Sequence, residues 1–166
     1  EERCYHEGLV KPINPLLNLQ QYTLIYRASY LICCLSLYGF VKGKYDLASI
    51  SFCGFLTSIN YWRYPVYGLR RNIDRTAIHI GLIYHAIRAY SCQRWFAYYS
   101  VYAFALVCYP ASWHYYNKKY YWTSTYLHCL VHLMGNATFY ILFSSDIAPI
   151  HENPLLNWLP IHLMPS

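Results

Sequence analysis

Thr123 to Phe143, reading TSTYLHCLVHLMGNATFYILF, constrains the fold of this chain more than any other stretch. It contains no Lys, Arg, Asp or Glu and is long enough to cross a bilayer as one helix. A helix also satisfies all of its own backbone hydrogen bonds, which an apolar solvent demands. His128 and His132 stand inside this run, four residues apart. That spacing places both imidazoles on one helix face, one turn from each other, as a pair of nitrogen ligands to one metal would stand. Polar groups at such depth are costly unless they pair or bind something, so the bland alternative is hydrogen bonding to neighbouring helices.

The rest of the chain repeats the pattern. Charged residues make up 12% and aromatic residues 20% of the 166 positions, and the apolar residues are grouped into long runs. This reads as an all-α, polytopic membrane helix bundle of about five transmembrane helices, not as a soluble core. With so few charges, the net +6 is a property of the loops, and no nucleic-acid partner is expected. The seven cysteines are odd in number and contain no CxxC pair, so they imply no disulfide framework.

Three regions follow. Residues 1–21, with Pro12 and Pro15, read as an interfacial N-terminal arm. Residues 22–144 hold the five-helix transmembrane domain. Its runs are Tyr22–Val41, Leu47–Tyr61, a third opening at Asp74, Trp95–Trp113, and the run with the His pair. The second is rich in small residues (Ala48, Ser49, Ser51, Gly54, Thr57, Ser58) that let helices approach closely. Arg27, two turns inside the first run, snorkels to the interface in this reading. Residues 145–166, with Pro149, Pro154, Pro160 and Pro165, read as a surface or partner-binding tail.

Five spans put the ends of the chain on opposite sides of the membrane. Arg3, Lys11, Arg63, Arg70, Arg71, Arg75, Lys118 and Lys119 fall on the side of the N-terminus; Lys42, Lys44, Arg88 and Arg94 fall on the other. The positive-inside rule then places the N-terminus on a cytoplasm-like or matrix-like side. In the same leaflet lie the end of the second run (Ser58), the start of the third (Asp74) and the first half of the fifth (His128, His132). A serine, an aspartate and two histidines are therefore expected to converge.

This set resembles the CREST superfamily, which joins alkaline ceramidases with the progestin and adipoQ receptors. The matching residues are GFLTSINYW with Ser58 and Tyr61, Asp74 twelve residues after Trp62, and HCLVHLMGNATFY with His128 and His132. The resemblance implies a zinc ion on three histidines, with Ser58 and Asp74 as the catalytic pair that handles the attacking water of an amide hydrolase. Two departures stand against activity. The family has seven helices where this chain has five runs. Its first metal-binding histidine falls on Trp62, whose indole offers a metal no lone pair in the ring plane. His79 and Asp74 are the candidates to replace that ligand.

The reading that follows is a non-catalytic, CREST-like multi-pass membrane protein, a structural subunit of a larger membrane assembly. It carries no cofactor, and its partners are membrane lipids and other subunits in an organelle inner membrane or a viral internal membrane. One alternative is a zinc-dependent intramembrane lipid amidase, with His128, His132 and His79 on the metal. Another is a polytopic protein using intramembrane histidine for haem ligation or proton transfer, which calls for His79 or His85 to face His128 or His132.

Overall fold

The computed structural model describes residues 15–155. The arm's Cys4, Glu7 and Asn14 and the tail's Leu156, Trp158 and Leu159 lie outside the described residues. Five helices follow one another: α1 (Leu19–Val41), α2 (Tyr45–Trp62), α3 (Leu69–Ala89), α4 (Trp95–Asn117) and α5 (Tyr121–Phe143). A single 3-10 turn, Ile150–Glu152, follows them. Among the described residues the fold is all-helical and has no strand. α1 and α5 are each long and apolar enough to cross a membrane.

Local chemistry sets the ends of these helices. α1 starts three residues earlier than hydropathy alone suggests. Asn18 and Gln21 close a capping box in which Asn18 Oδ1 accepts from the Gln21 amide at 2.9 Å and Gln21 Oε1 from the Asn18 amide at 3.1 Å. It ends at Gly43, whose φ of +70° turns the chain so that the Lys44 amide donates back to the Gly39 carbonyl at 3.0 Å. α4 ends the same way, but Lys119 takes the left-handed position with φ 63°. The third helix corrects an expectation. It opens at Leu69, so Asp74 is its sixth residue, beyond the first turn where the helix dipole favours an acid. α4 likewise runs seven residues past Pro110.

The helices form a ring. α1 packs between α2 and α5, α3 packs on α2, α4 packs on α5, and α3 meets α4 more sparsely to close the circle. The α2–α3 contact is close because a glycine on each helix faces an isoleucine on the other. A methyl added at Gly54 would stand 3.3 Å from Ile78, and one added at Gly81 would stand 3.3 Å from Ile50. Of the small residues of α2, Ala48, Ser51, Gly54 and Ser58 are buried and Ser49 faces outward.

Two apolar clusters cap the ring. One gathers Leu47, Ala89, Cys92, Tyr98, Leu142 and Phe143 where α1, α3 and α5 end; the other gathers Leu17, Ile25, Tyr61 and Trp62 where they begin. Leu16 is tied over the second cluster by its amide to the Pro65 carbonyl at 2.8 Å and by its carbonyl to Tyr116 Oη at 3.3 Å. The six cysteines among the described residues are free thiols. Arg27 is exposed on the outer face of α1.

Candidate functional site

A cavity of about 280 Å³ lies inside the ring, between the two clusters, with walls from all five helices. Ser58, Asp74, His128 and His132 all line it. Ser58 is four residues from the end of α2, Asp74 five from the start of α3, and His128 seven from the start of α5. At about 1.5 Å per residue these depths are roughly 6, 8 and 10 Å from the same end of the bundle. The expected convergence is therefore present.

Asp74 is buried and is held by hydroxyls, not by a cation. Ser58 Oγ donates to Asp74 Oδ1 at 2.7 Å and Thr57 Oγ1 donates to the same oxygen at 3.2 Å. These two bonds tie α2 to α3 at the cavity wall. On the opposite wall the His128 and His132 rings stand 5.3 Å apart, centre to centre. The Trp62 indole lies 4.8 Å from the His128 ring and the Tyr109 ring lies 6.3 Å from it. Neither imidazole has a hydrogen-bonding partner among the described residues.

The donor set does not fit zinc. A structural or catalytic zinc ion needs three or four protein ligands. Among the described residues no group of three His, Cys, Asp or Glu side chains stands close enough to share an ion. Trp62 fills the space beside His128 with an indole. His79, the expected replacement, is exposed and turns Nδ1 to the Arg75 carbonyl of its own helix.

The haem arrangement is not formed by His85 either. That ring is fully buried, with Nδ1 against the Gly81 carbonyl at 2.7 Å and Nε2 against Ser51 Oγ at 3.0 Å. Its ring packs at a tilt against Phe139, 4.7 Å away centre to centre. Both nitrogens are occupied by the protein, so His85 is a structural tie between α2 and α3. Asn136 is also buried inside α5, with Nδ2 donating to the His132 carbonyl at 2.7 Å.

A second polar cluster at the far end of the bundle is missed by hydropathy reasoning. Arg88, expected among the loop charges, is buried and stands 3.1 Å from Asp46. The contact is an ion pair without hydrogen-bond alignment at Nε. Tyr84 Oη donates to the same Asp46 oxygen at 2.7 Å, and Arg88 donates to the Ala148 carbonyl at 3.2 Å. Asn153, fully buried, donates from Nδ2 to the Ile87 carbonyl and to Ser91 Oγ, each at 3.0 Å. The segment after α5 is thereby folded onto the α3–α4 connection, where the Gln93 amide also donates to the Asp146 carbonyl at 3.0 Å.

A signal for this cluster was present. In an antiparallel helix pair, moving back along one helix matches moving forward along the other. Twelve residues before Ser58 stands Asp46, and fourteen after Asp74 stands Arg88. One pairing thus predicts the other. No family model matches the chain, and neither does any curated protein or solved structure.

Proposed function

We propose that this chain is a non-catalytic, five-span membrane protein with a CREST-like arrangement of polar residues, and that it serves as a structural subunit of a larger membrane assembly. The observation that carries the reading is Trp62. Its indole packs on His128 where the resemblance calls for a third metal ligand, while Ser58 is committed to Asp74. A hydroxyl and a carboxylate bonded to each other across two helices fix the helix register.

The membrane placement of all five helices has its own support. Each carries large apolar side chains turned outward, among them Leu37, Leu56, Ile80, Phe104 and Leu133. A ring with this much apolar surface turned outward, and with Ser58, Asp74, His128 and His132 turned inward, suits a lipid surrounding better than water. Outward aromatic residues at the helix ends, such as Tyr45, Trp95, Tyr120 and Trp122, suit lipid headgroups and neighbouring subunits. An organelle inner membrane or a viral internal membrane is the setting that this reading implies.

The test is purification from native membranes in mild detergent. The expected result is migration as part of a larger complex, with amide hydrolysis of a long-chain lipid absent and unaffected by His132→Ala. A monomer carrying stoichiometric zinc, with amide hydrolysis abolished by His132→Ala, would overturn the reading and establish the amidase.

A further inference from the structure

α3 and α4 touch sparsely, near their two ends. Toward the end with the buried ion pair, Tyr99 Oη donates to the Ala86 carbonyl at 2.7 Å and Tyr102 Oη to the Leu82 carbonyl at 3.5 Å. Toward the other end the link is the Arg71 guanidinium, 5.8 Å from the Trp113 ring centre and 4.7 Å from that of Tyr67. Between these points a slot opens into the cavity. Its α3 wall carries Arg71, Arg75 and His79; its α4 wall carries Leu106, Tyr109 and Trp113. The three α3 residues are four apart and share one face.

Neither arginine forms an ion pair among the described residues. Asp74 is nearest in sequence, but its carboxylate is turned to Ser58 and Thr57 on α2. A guanidinium in the outer part of a bilayer leaflet without a counter-ion is costly. Its planar fork matches phosphate, and basic pockets between membrane helices suit phosphate-bearing headgroups. Behind the arginines the cavity wall is largely apolar, with Ile32, Val131 and Gly135 on it. The cavity volume of about 280 Å³ lies near the lower end of small-molecule sites, roughly 300 to 1,000 Å³. A partner helix with its side chains is about 10 Å across and has no room there; a single acyl chain does.

We propose that this slot holds an anionic phospholipid, its phosphate between Arg71 and Arg75 and one acyl chain in the cavity. The proposal rests on the bundle being embedded in a membrane, as argued above. It adds a bound lipid as a structural element of the ring, closing the gap that α3 and α4 leave.

Gly135 supplies a clean probe. A methyl built there meets nothing within 4 Å, so Gly135→Leu directs a side chain into the cavity without displacing a neighbour at its root. The full chain is placed in nanodiscs of phosphatidylcholine alone or with a minority of phosphatidylglycerol. Retained lipid is then read by native mass spectrometry and thermal unfolding by fluorescence. Both lipids carry a phosphate, but phosphatidylcholine also brings a quaternary ammonium that the two arginines repel, so phosphatidylglycerol is expected to be retained roughly tenfold over phosphatidylcholine and to raise the Tm. Arg71→Gln with Arg75→Gln removes the preference, and Gly135→Leu removes retention of both lipids, with helix content unchanged in each. Inorganic phosphate and palmitate, offered separately, give no comparable shift.

Equal retention of the two lipids by the unmodified chain would overturn the proposal, and so would a shift from palmitate or from phosphate alone equal to that from phosphatidylglycerol. Binding of an acidic transmembrane peptide in place of lipid would overturn it too, and would make the slot a protein interface. If the chain enters the discs and its helices resist protease but no lipid is preferred, the lipid site fails and the membrane reading stands. If the chain does not enter the discs, both fail.

Discussion

The two ends of the bundle use similar residues to opposite effect. At the far end Asp46, Arg88, Tyr84, His85 and Asn153 are each engaged by protein partners, and the chain after α5 folds over them. At the near end Asp74 has two hydroxyl partners on one oxygen, the two histidines have no hydrogen-bonding partner among the described residues, and a cavity lies between. Both ends hold an acid and histidine at comparable depth. A polar group whose bonds are all made within the protein contributes to register and stability. A polar group that faces a cavity with capacity to spare is available to a ligand. The difference lies in the partners, and residue type alone does not reveal it.

The largest effect is expected at the closed end. Asp46→Leu leaves the Arg88 guanidinium buried with only the Ala148 carbonyl and the Tyr84 hydroxyl nearby. Removing one partner of a buried pair costs about 3 to 5 kcal/mol. Thermal unfolding in detergent should show a large fall in Tm, partly restored when Arg88→Met is added to the same chain. A fall below about 1 kcal/mol would mean that this end is as loose as the other.

Glycine substitutions sharpen the same contrast. Gly39 sits where α1 crosses α2 and α5, and a methyl built there stands 3.0 Å from both Ala48 Cβ and the Phe143 ring. Ala48 has no rotamer to change, so Gly39→Ala must separate helices, at a cost of about 1 to 3 kcal/mol. Gly135→Ala, on the cavity wall, meets nothing and improves helix propensity. It should stabilise by about 0.5 to 1 kcal/mol. The two Tm shifts must be opposite in sign; the same sign would remove the distinction between a packed end and a hollow one.

Much of the architecture was legible because five apolar runs separated by basic turns leave few arrangements, and chain parity brings Ser58, Asp74, His128 and His132 toward one end. What hydropathy hides is helix that continues through polar residues. Arg70, Arg71 and Asn72 support a helix well enough, so α3 opens at Leu69, five residues ahead of Asp74. It also hides the difference between a loop charge and a buried one, as Arg88 shows. His85 was weighed as a haem ligand, and its spacing in the run gave no sign that Ser51 and Gly81 would occupy both nitrogens. Trp62 stands at the position where the resemblance calls for a ligand, and its ring lies 4.8 Å from that of His128. That its indole would reach His128 follows only from the closing of the ring, which brings the end of α2 across to α5.

The smallest effect is expected at Asp74. Asp74→Asn keeps a carbonyl oxygen where Ser58 Oγ and Thr57 Oγ1 now donate, at 2.7 and 3.2 Å, and removes the charge. Polar links between membrane helices are worth roughly 0.6 kcal/mol each and seldom above 2. The carboxylate carries a desolvation cost that the amide avoids, and the two hydroxyls offset part of it. The opposing contributions nearly cancel, so the Tm should move by no more than the equivalent of about 1 kcal/mol. Asp74→Ala differs, because it strands the Ser58 hydroxyl in a buried position and costs more than the asparagine change. If Asp74→Asn instead destabilises as strongly as Asp46→Leu, the carboxylate's charge must be essential to the near end. The contrast between a packed end and a hollow one would then have to be drawn elsewhere than at this residue.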